Sequence, residues 1–324
     1  MIISRTPLRI SFCGGGSDLP DFYRRFGGAV LSMSIARYIY LSMHEYFQGS
    51  GYILKYSQLE TPDSVEHIRH RIIREVFGEY GIDGVDFNSS ADVPAGTGLG
   101  SSSAFTVGLL NLCNAYLGRY ESAATLAARA CEIEIDRLGE PIGKQDQFGC
   151  ALGGLNFIEF HTDDSVTYEA VPLTLAMRQR MERNLVMFYL GGTRSASDIL
   201  RQQSKDIGEK ADVTDNLRYM AQLARDLRRD VIGDVDAIGH YLHENWVRKK
   251  ELNGNISNGL IDDAYARALA AGATGGKLLG AGASGFLLIY APGEARERTI
   301  AALSEFTPYD VRYEPNGTTI IYSD

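Results

Sequence analysis

Residues 94–104, Pro94-Ala95-Gly96-Thr97-Gly98-Leu99-Gly100-Ser101-Ser102-Ser103-Ala104, set alternating glycines ahead of three hydroxyls and an apolar stripe of Phe105, Leu109, Leu112 and Tyr116. Glycine tolerates positive φ and lets a ligand approach the backbone closely. Free N–H groups at a helix start, with the helix dipole behind them, bind phosphate. The hydroxyls can cap that helix or reach a magnesium ion. Pro94, Gly96, Gly98, Leu99, Gly100, Ser101, Ser102 and Ser103 are therefore the candidate phosphate cradle. No lysine follows the last glycine, which excludes a Walker A loop. The spacing after Gly98 excludes a dinucleotide fingerprint. For the loop taken alone, a serine-capped turn is the alternative.

Other residues have types and positions suited to chemistry. On a helix expected from 122 to 138, Glu134 has Ala130, Cys131 and Leu138 as its neighbours three and four residues away, so a carboxylate lies on the apolar stripe. A buried carboxylate needs a partner, and magnesium, which takes few protein ligands, suits it; a helix-edge glutamate is the alternative. Ser17 and Asp18 follow Gly14-Gly15-Gly16, an arrangement suited to a polyhydroxylated ligand, unless Asp18 merely caps the segment at Pro20. Arg194, between an expected strand and a helix start, could meet an anion with guanidinium and backbone N–H groups together. Lys144, Lys249 and Lys250 are further phosphate candidates, each otherwise a solvated charge. Trp246 reads as core, and His67, His70, His240 and His243 as solvated helix positions.

The elements that must position these groups are mixed. Strands are expected at 2–12, within 29–46, and at 84–91, 155–160, 185–190, 286–290 and 318–322. Helices are expected at 65–77, from 101, and at 122–138, 195–229, 234–252, 257–271 and 294–303. Strict βαβ alternation is absent, which favours α+β over a doubly wound sheet. A length of 324 residues suits two domains, with the boundary expected at 175/176: 1–175 holds the phosphate loop and 176–324 forms the second domain.

Composition narrows the function classes. A 44% hydrophobic and 23% charged chain is that of a globular protein. No apolar run approaches the roughly 20 residues of a membrane span, and no signal peptide is visible at the N-terminus. The net charge of −9 argues against nucleic-acid binding. Cys13, Cys113, Cys131 and Cys150 show no metal-type spacing and read as reduced core thiols of a cytoplasmic protein.

Three motifs in order resemble those of the GHMP kinases, the superfamily of galactokinase, homoserine kinase and mevalonate kinase. The first is Pro7-Leu8-Arg9-Ile10-Ser11-Phe12-Cys13-Gly14-Gly15-Gly16-Ser17-Asp18, the second the loop at 94–104, and the third Lys277-Leu278-Leu279-Gly280-Ala281-Gly282-Ala283-Ser284-Gly285-Phe286. Together with Gly143-Lys144-Gln145-Asp146-Gln147, the first motif is most similar to the D-glycero-D-manno-heptose 7-phosphate kinases; the kinase half of bifunctional L-fucokinases is a close relative. The third motif departs from the pattern in carrying Ala283-Ser284 where glycines are usual.

The resemblance implies a two-domain α+β fold, a mixed N-terminal domain and a ferredoxin-like C-terminal one, with the active site in the cleft between them. It implies Asp146 as catalytic base with Arg9 beside it, and Ser102 and Glu134 as magnesium contacts. Gly15, Gly16, Ser17, Asp18, Lys144, Arg194 and Gly282 are the implied or candidate substrate contacts. ATP and Mg²⁺ are the expected cofactors and a sugar phosphate the expected partner; a homodimer is left open. The expected reaction is phosphorylation of the anomeric hydroxyl of heptose 7-phosphate. Another sugar 1-kinase such as an L-fucokinase, or a non-catalytic sugar sensor on the same scaffold, are the alternatives. A mevalonate-branch decarboxylase is disfavoured by the hydrophilic first motif.

Overall fold

The computed structural model describes residues 1–192 and 196–324. Among them, twelve strands form two sheets. The first holds β1 (Ile2–Cys13), β2 (Gly28–Glu45), β3 (Tyr52–Lys55), β4 (Leu59–Glu60), β5 (Val85–Ala91), β6 (Leu155–Phe160) and β7 (Val166–Ala170). The second holds β8 (Leu185–Tyr189), β9 (Gly275–Leu278), β10 (Phe286–Tyr290) and β11 (Pro308–Asp310). The last strand, β12 (Thr319–Ser323), returns to pair antiparallel with β1. We propose the domain boundary at 175/176, with β12 counted to the first sheet.

Alternation along β1 explains why it carries the first motif. Successive side chains of a strand face opposite ways, so Leu8, Ile10 and Phe12 enter the core on one face while Arg9 and Ser11 lie on the other, and all five are buried. Each fully buried large apolar side chain contributes roughly 1.5–3 kcal/mol. The residues at 29–46 form one long strand, because one edge of β2 pairs with β1 along most of its length while the other pairs with β6 at Gly28–Met33 and with β5 at Ile39–Glu45.

In chain order the helices are α1 (Pro20–Phe26), α2 (Arg71–Tyr80), α3 (Ser101–Tyr116), α4 (Ala123–Cys131), α5 (Gln145–Leu152), α6 (Leu175–Asn184), α7 (Ala196–Asp206), α8 (Ala211–Asp230), α9 (Ala237–Leu252), α10 (Gly259–Ala270) and α11 (Ala295–Ala302). None of the described helices is long and apolar enough to cross a membrane. Helix α3 lies tightly on β1: Ser4 Oγ donates to the Gly108 carbonyl at 3.1 Å, and a Cβ on Gly108 would come within 2.6 Å of Thr6 Oγ1.

The second sheet runs β11-β8-β10-β9, all neighbours antiparallel. Its first strand thus lies between its fourth and third, a ferredoxin-like order.

Three helix expectations are corrected. The pattern at 65–77 breaks into a 3₁₀ turn, Val65–His67, and then α2, because buried Glu60 accepts from the backbone N–H groups of Arg69 (2.8 Å) and His70 (3.2 Å). The stretch expected as one helix at 195–229 is two, α7 and α8, separated at Gly208 with φ +83°. The helix expected to 138 is α-helical only to Cys131; Glu132–Arg137 is a π-turn.

Candidate active site

The π-turn is where the acidic chemistry sits. An inserted residue rotates the following side chains relative to a regular helix, and Glu134 is 1% exposed while Glu132 and Asp136 face solvent. Its carboxylate accepts from Ser102 Oγ at 2.9 Å, Ser103 Oγ at 2.8 Å and Gln147 Nε2 at 2.7 Å. Burial pushes the Glu134 carboxyl up to about 7, against those three hydrogen bonds and helped by the charge of Asp146.

Ser101, Ser102 and Ser103 open α3, with Gly100 ahead of them in the left-handed region at φ +76° and no side-chain cap on the first turn. The helix start therefore presents its N–H groups to the cleft. Gly96, Gly98 and Gly100 line the same cleft. A Cβ on Gly98, whose φ is +84°, would come within 2.6 Å of the Leu279 carbonyl oxygen, so the first glycine loop rests directly on the third motif. Pro94 is exposed and Leu99 points into the core. Neither lines the cleft. They support it, since the Pro94 carbonyl accepts from Thr97 Oγ1 (3.0 Å) and the Leu99 carbonyl from the Arg9 N–H (3.1 Å).

Arg9 is 4% exposed and joins three elements. Nε and Nη2 donate to Asp146 Oδ1 at 2.8 and 2.6 Å, and Nη1 donates to the Gly98 carbonyl at 2.8 Å. Asp146 stands in the first turn of α5, partly open to the cleft.

Asp18 lies across from it, 2% exposed. Its oxygens accept from Gly16 N (2.8 Å), Gln145 Nε2 (3.0 Å) and Gln145 N (3.2 Å). Burial, and then the Asp146 charge, hold it above the usual carboxylate range. Gly143 crosses so close that a Cβ there would sit 1.9 Å from Asp18 Oδ2.

Gly15, Gly16, Asp18 and Gly282 line a cleft of about 410 Å³ together with Arg9, Asp146 and the serines. Two of the candidate contacts do not. Ser17 is fully buried and donates to the Gly14 and Ala29 carbonyls at 2.8 and 3.1 Å, which ties the glycine loop to β2. Lys144 turns outward, donating to the Asp164 carbonyl at 2.9 Å with its ammonium 5.0 Å from the Tyr23 ring centre. Arg194 lies outside the described residues.

Two lysines are in the cleft wall: Lys249, a phosphate candidate with a solvated charge as the alternative, and Lys277, which was given no role. Lys249 is 8% and Lys277 3% exposed. Burial, with Lys277 and Arg9 adding to it, holds the Lys249 ammonium well below its ordinary value, and burial brings Lys277 down to about 8. Lys249 was findable by the periodicity that marks Glu134: it stands three residues after Trp246 and seven after Leu242, both fully buried. Lys277 interrupts an otherwise apolar strand. Lys250 does stay at the surface, paired with Asp262 at 3.1 Å.

His70 also departs from its expected solvated position. It caps α2 by accepting from Ile73 N and packs between Tyr56 and Phe105, with ring centres 4.8 and 5.0 Å away. Trp246 is core, and all four cysteines are free and buried. The turn at Ala283 compensates for its missing glycine at a cost: Ala283 adopts φ +67°.

The donor set suits a hard divalent cation. Glu134 and Ser102 offer oxygens at one side of the cradle, where phosphates and water would complete the shell of a magnesium ion. They are the residues that would hold it.

The chain matches known families along most of this site. Residues 67–154 match the GHMP kinases N terminal domain, and residues 220–308 match the GHMP kinases C terminal domain. The D-glycero-alpha-D-manno-heptose 7-phosphate kinase of Campylobacter jejuni is 28% identical over 95% of this chain and 94% of its own. The bifunctional fucokinase/GDP-fucose pyrophosphorylase of Arabidopsis thaliana is 25% identical over 94% of this chain and 31% of its own. Among solved structures, a D-glycero-D-manno-heptose 1-phosphate kinase from Bacteroides thetaiotaomicron superposes with a TM-score of 0.81 over the full length of both chains, at 23% identity.

Proposed function

Since the chain belongs to the GHMP kinases, and is a sugar kinase of that family with ATP as phosphate donor, we propose that it phosphorylates the anomeric hydroxyl of D-glycero-D-manno-heptose 7-phosphate to the 1,7-bisphosphate. The observation that carries this reading is the Asp146 carboxylate, tethered by Arg9 through Oδ1 alone, between the phosphate cradle and Asp18.

Phosphoryl transfer is mostly a matter of position and charge. Asp18 and the Gly15–Gly16 backbone, which line the cleft, orient the sugar. Asp146 Oδ2 receives the proton of the attacking hydroxyl. The Arg9 guanidinium fixes Asp146 in place through Oδ1 and faces the charge that develops on the transferring oxygens. The start of α3 holds the nucleotide phosphates, and Ser102 and Glu134 would hold magnesium, which neutralises phosphate charge when bound. The two glycine loops pack on one another at Gly98 and Gly280, which walls one side of the cleft.

The test is incubation with magnesium-ATP and a panel of free and 6- or 7-phosphorylated sugars, following ADP release and the phosphorus spectrum of the product. An anomeric bisphosphate from the heptose phosphate supports the reading. A monophosphate made only from a free sugar overturns it in favour of a second reading, a free-sugar 1-kinase acting, for example, on L-fucose. One observation favours that second reading: Lys144, a candidate for the substrate phosphate, faces Asp164 instead of the cleft.

A further inference from the structure

A buried ammonium without an anionic partner is costly, and such groups are normally paired or discharged. Lys249 and Lys277 are both more than nine-tenths buried and both border the cleft. Their only partners among the described residues are carbonyl oxygens: Leu278 (3.3 Å) and Gly280 for Lys249, and Phe12 (3.3 Å) for Lys277. Neither forms an ion pair, because the nearby carboxylates are engaged elsewhere. Asp146 is held by Arg9, and Asp18 by Gly16 and Gln145.

The surroundings of the pair are also short of partners. Ser11 Oγ and Gln203 Nε2 line the same cleft, belong to residues 7% and 4% exposed, and have no hydrogen-bond partner among the described residues. Lys277 reaches Phe12, the neighbour of Ser11, while Gln203 stands over Gly16, where a Cβ would come within 2.6 Å of its amide nitrogen. Lys277, Ser11 and Gln203 therefore gather along the Ser11–Gly16 segment, the loop that carries Asp18, and Lys249 completes the wall from the third motif, where it meets Leu278 and Gly280. The α3 cradle has N–H groups of its own and joins this wall through Arg9, whose Nη1 donates to the Gly98 carbonyl.

We propose that Lys249 and Lys277, with Ser11 and Gln203, bind a phosphate group of the acceptor sugar and make this kinase selective for phosphorylated over free sugars. The proposal rests on the sugar-kinase reading above and deepens it. Ammonium groups act as point charges toward phosphate, and two of them in a buried site discriminate strongly because a ligand without phosphate leaves both uncompensated.

The test compares kcat/KM for a phosphorylated sugar and its free counterpart in the wild type, Lys277→Gln and Lys249→Gln, with KM for ATP measured in parallel. Losing one charged hydrogen bond should raise KM for the phosphorylated acceptor by about 10- to 100-fold, collapse the preference, and leave KM for ATP within about twofold. An unchanged preference in both variants overturns the inference while leaving the heptose phosphate reading standing. A rise confined to KM for ATP also overturns it, assigning the lysines to the nucleotide. A wild type that uses a different phosphorylated sugar defeats the heptose assignment only, and the same ratio then decides this one. If a variant fails to fold, inorganic phosphate inhibition of the wild type decides: competition against the sugar phosphate and not against ATP supports the site, and competition against ATP alone overturns it.

Discussion

Arg9 grips Asp146 by one oxygen only: Nε and Nη2 both donate to Oδ1, at 2.8 and 2.6 Å, and Oδ2 has no protein partner among the described residues. The guanidinium thus fixes the carboxylate without occupying the atom that would take a proton. Its third contact, Nη1 to the Gly98 carbonyl at 2.8 Å, ties that geometry to the phosphate loop. Asp146→Asn keeps the shape and removes the base. It should lower kcat by about 10²- to 10⁴-fold with nucleotide affinity nearly unchanged, as read by steady-state kinetics and equilibrium titration of an ATP analogue. Turnover that survived would sink the assigned role.

Glu134 links the magnesium site to pH. Its carboxyl is raised from 4.5 to about 7 by burial, so between those values the folded protein keeps a proton that the unfolded chain releases. Stability from this group is fully present below pH 4.5 and is lost as pH rises through 7, a loss on the order of 3 kcal/mol. In the difference between wild type and Glu134→Gln, melting temperature should fall across that window and flatten above it. Magnesium with a nucleotide, by favouring the ionised form, should reverse the trend at pH 7.5. A pH-independent difference would remove the titration from Glu134.

Ser102 Oγ donates to Glu134 at 2.9 Å, so Ser102→Ala strips one oxygen from the site and one hydrogen bond from the carboxylate. The magnesium concentration giving half-maximal rate should rise about tenfold or more. A metal titration at saturating ATP and sugar reads this directly.

Gly143 leaves no room for a side chain, since a Cβ would lie 1.9 Å from Asp18 Oδ2. Gly143→Ala should push Asp18 from its Gly16 and Gln145 contacts, raising KM for the sugar by about tenfold while KM for ATP changes little. Equal effects on both constants would point to general disruption.

Ala283 occupies φ +67°, a region glycine enters freely and alanine enters at a cost of about 1 kcal/mol. Ala283→Gly should therefore raise stability by no more than about 0.6 kcal/mol, once the greater entropy of the unfolded glycine (about 0.4–1 kcal/mol) is set against the relieved strain. Thermal unfolding in the absence of ligand is the measurement.

Much of this molecule was legible in its residues because the relevant signals are local. Glycine spacing announces a backbone conformation, so the loop at 96–100 could be read as a cradle before any fold was known. Period-3.6 apolar patterning reports burial, so Glu134 stood out as a carboxylate on the wrong face; the same rule, applied to the stripe through Leu242 and Trp246, marks Lys249, already a phosphate candidate, as buried rather than solvated. What stayed hidden was long-range. Nothing near 65–77 announces that Glu60 caps the chain at 69 and 70 and breaks the helix, and nothing near 319 announces that the last strand crosses back to β1.

The glycine loop as a candidate cradle, the buried carboxylate of Glu134 and the α+β class were thus determined by the sequence itself through residue type and spacing, and the GHMP-like motifs added Asp146, Arg9 and Ser102 as candidates. Which side chains turn inward was decided only by the tertiary structure. Lys144 adjoins Gln145 and Asp146 yet leaves the cleft for Asp164, Ser17 follows Gly16 yet ties the loop to β2, and Lys249 and Lys277, 28 residues apart, meet at one wall. The physical reason is that a side chain's direction is set by the partners available after packing. Buried hydrogen-bonding groups go where a partner waits, and for residues distant in sequence that place exists only once the chain has folded.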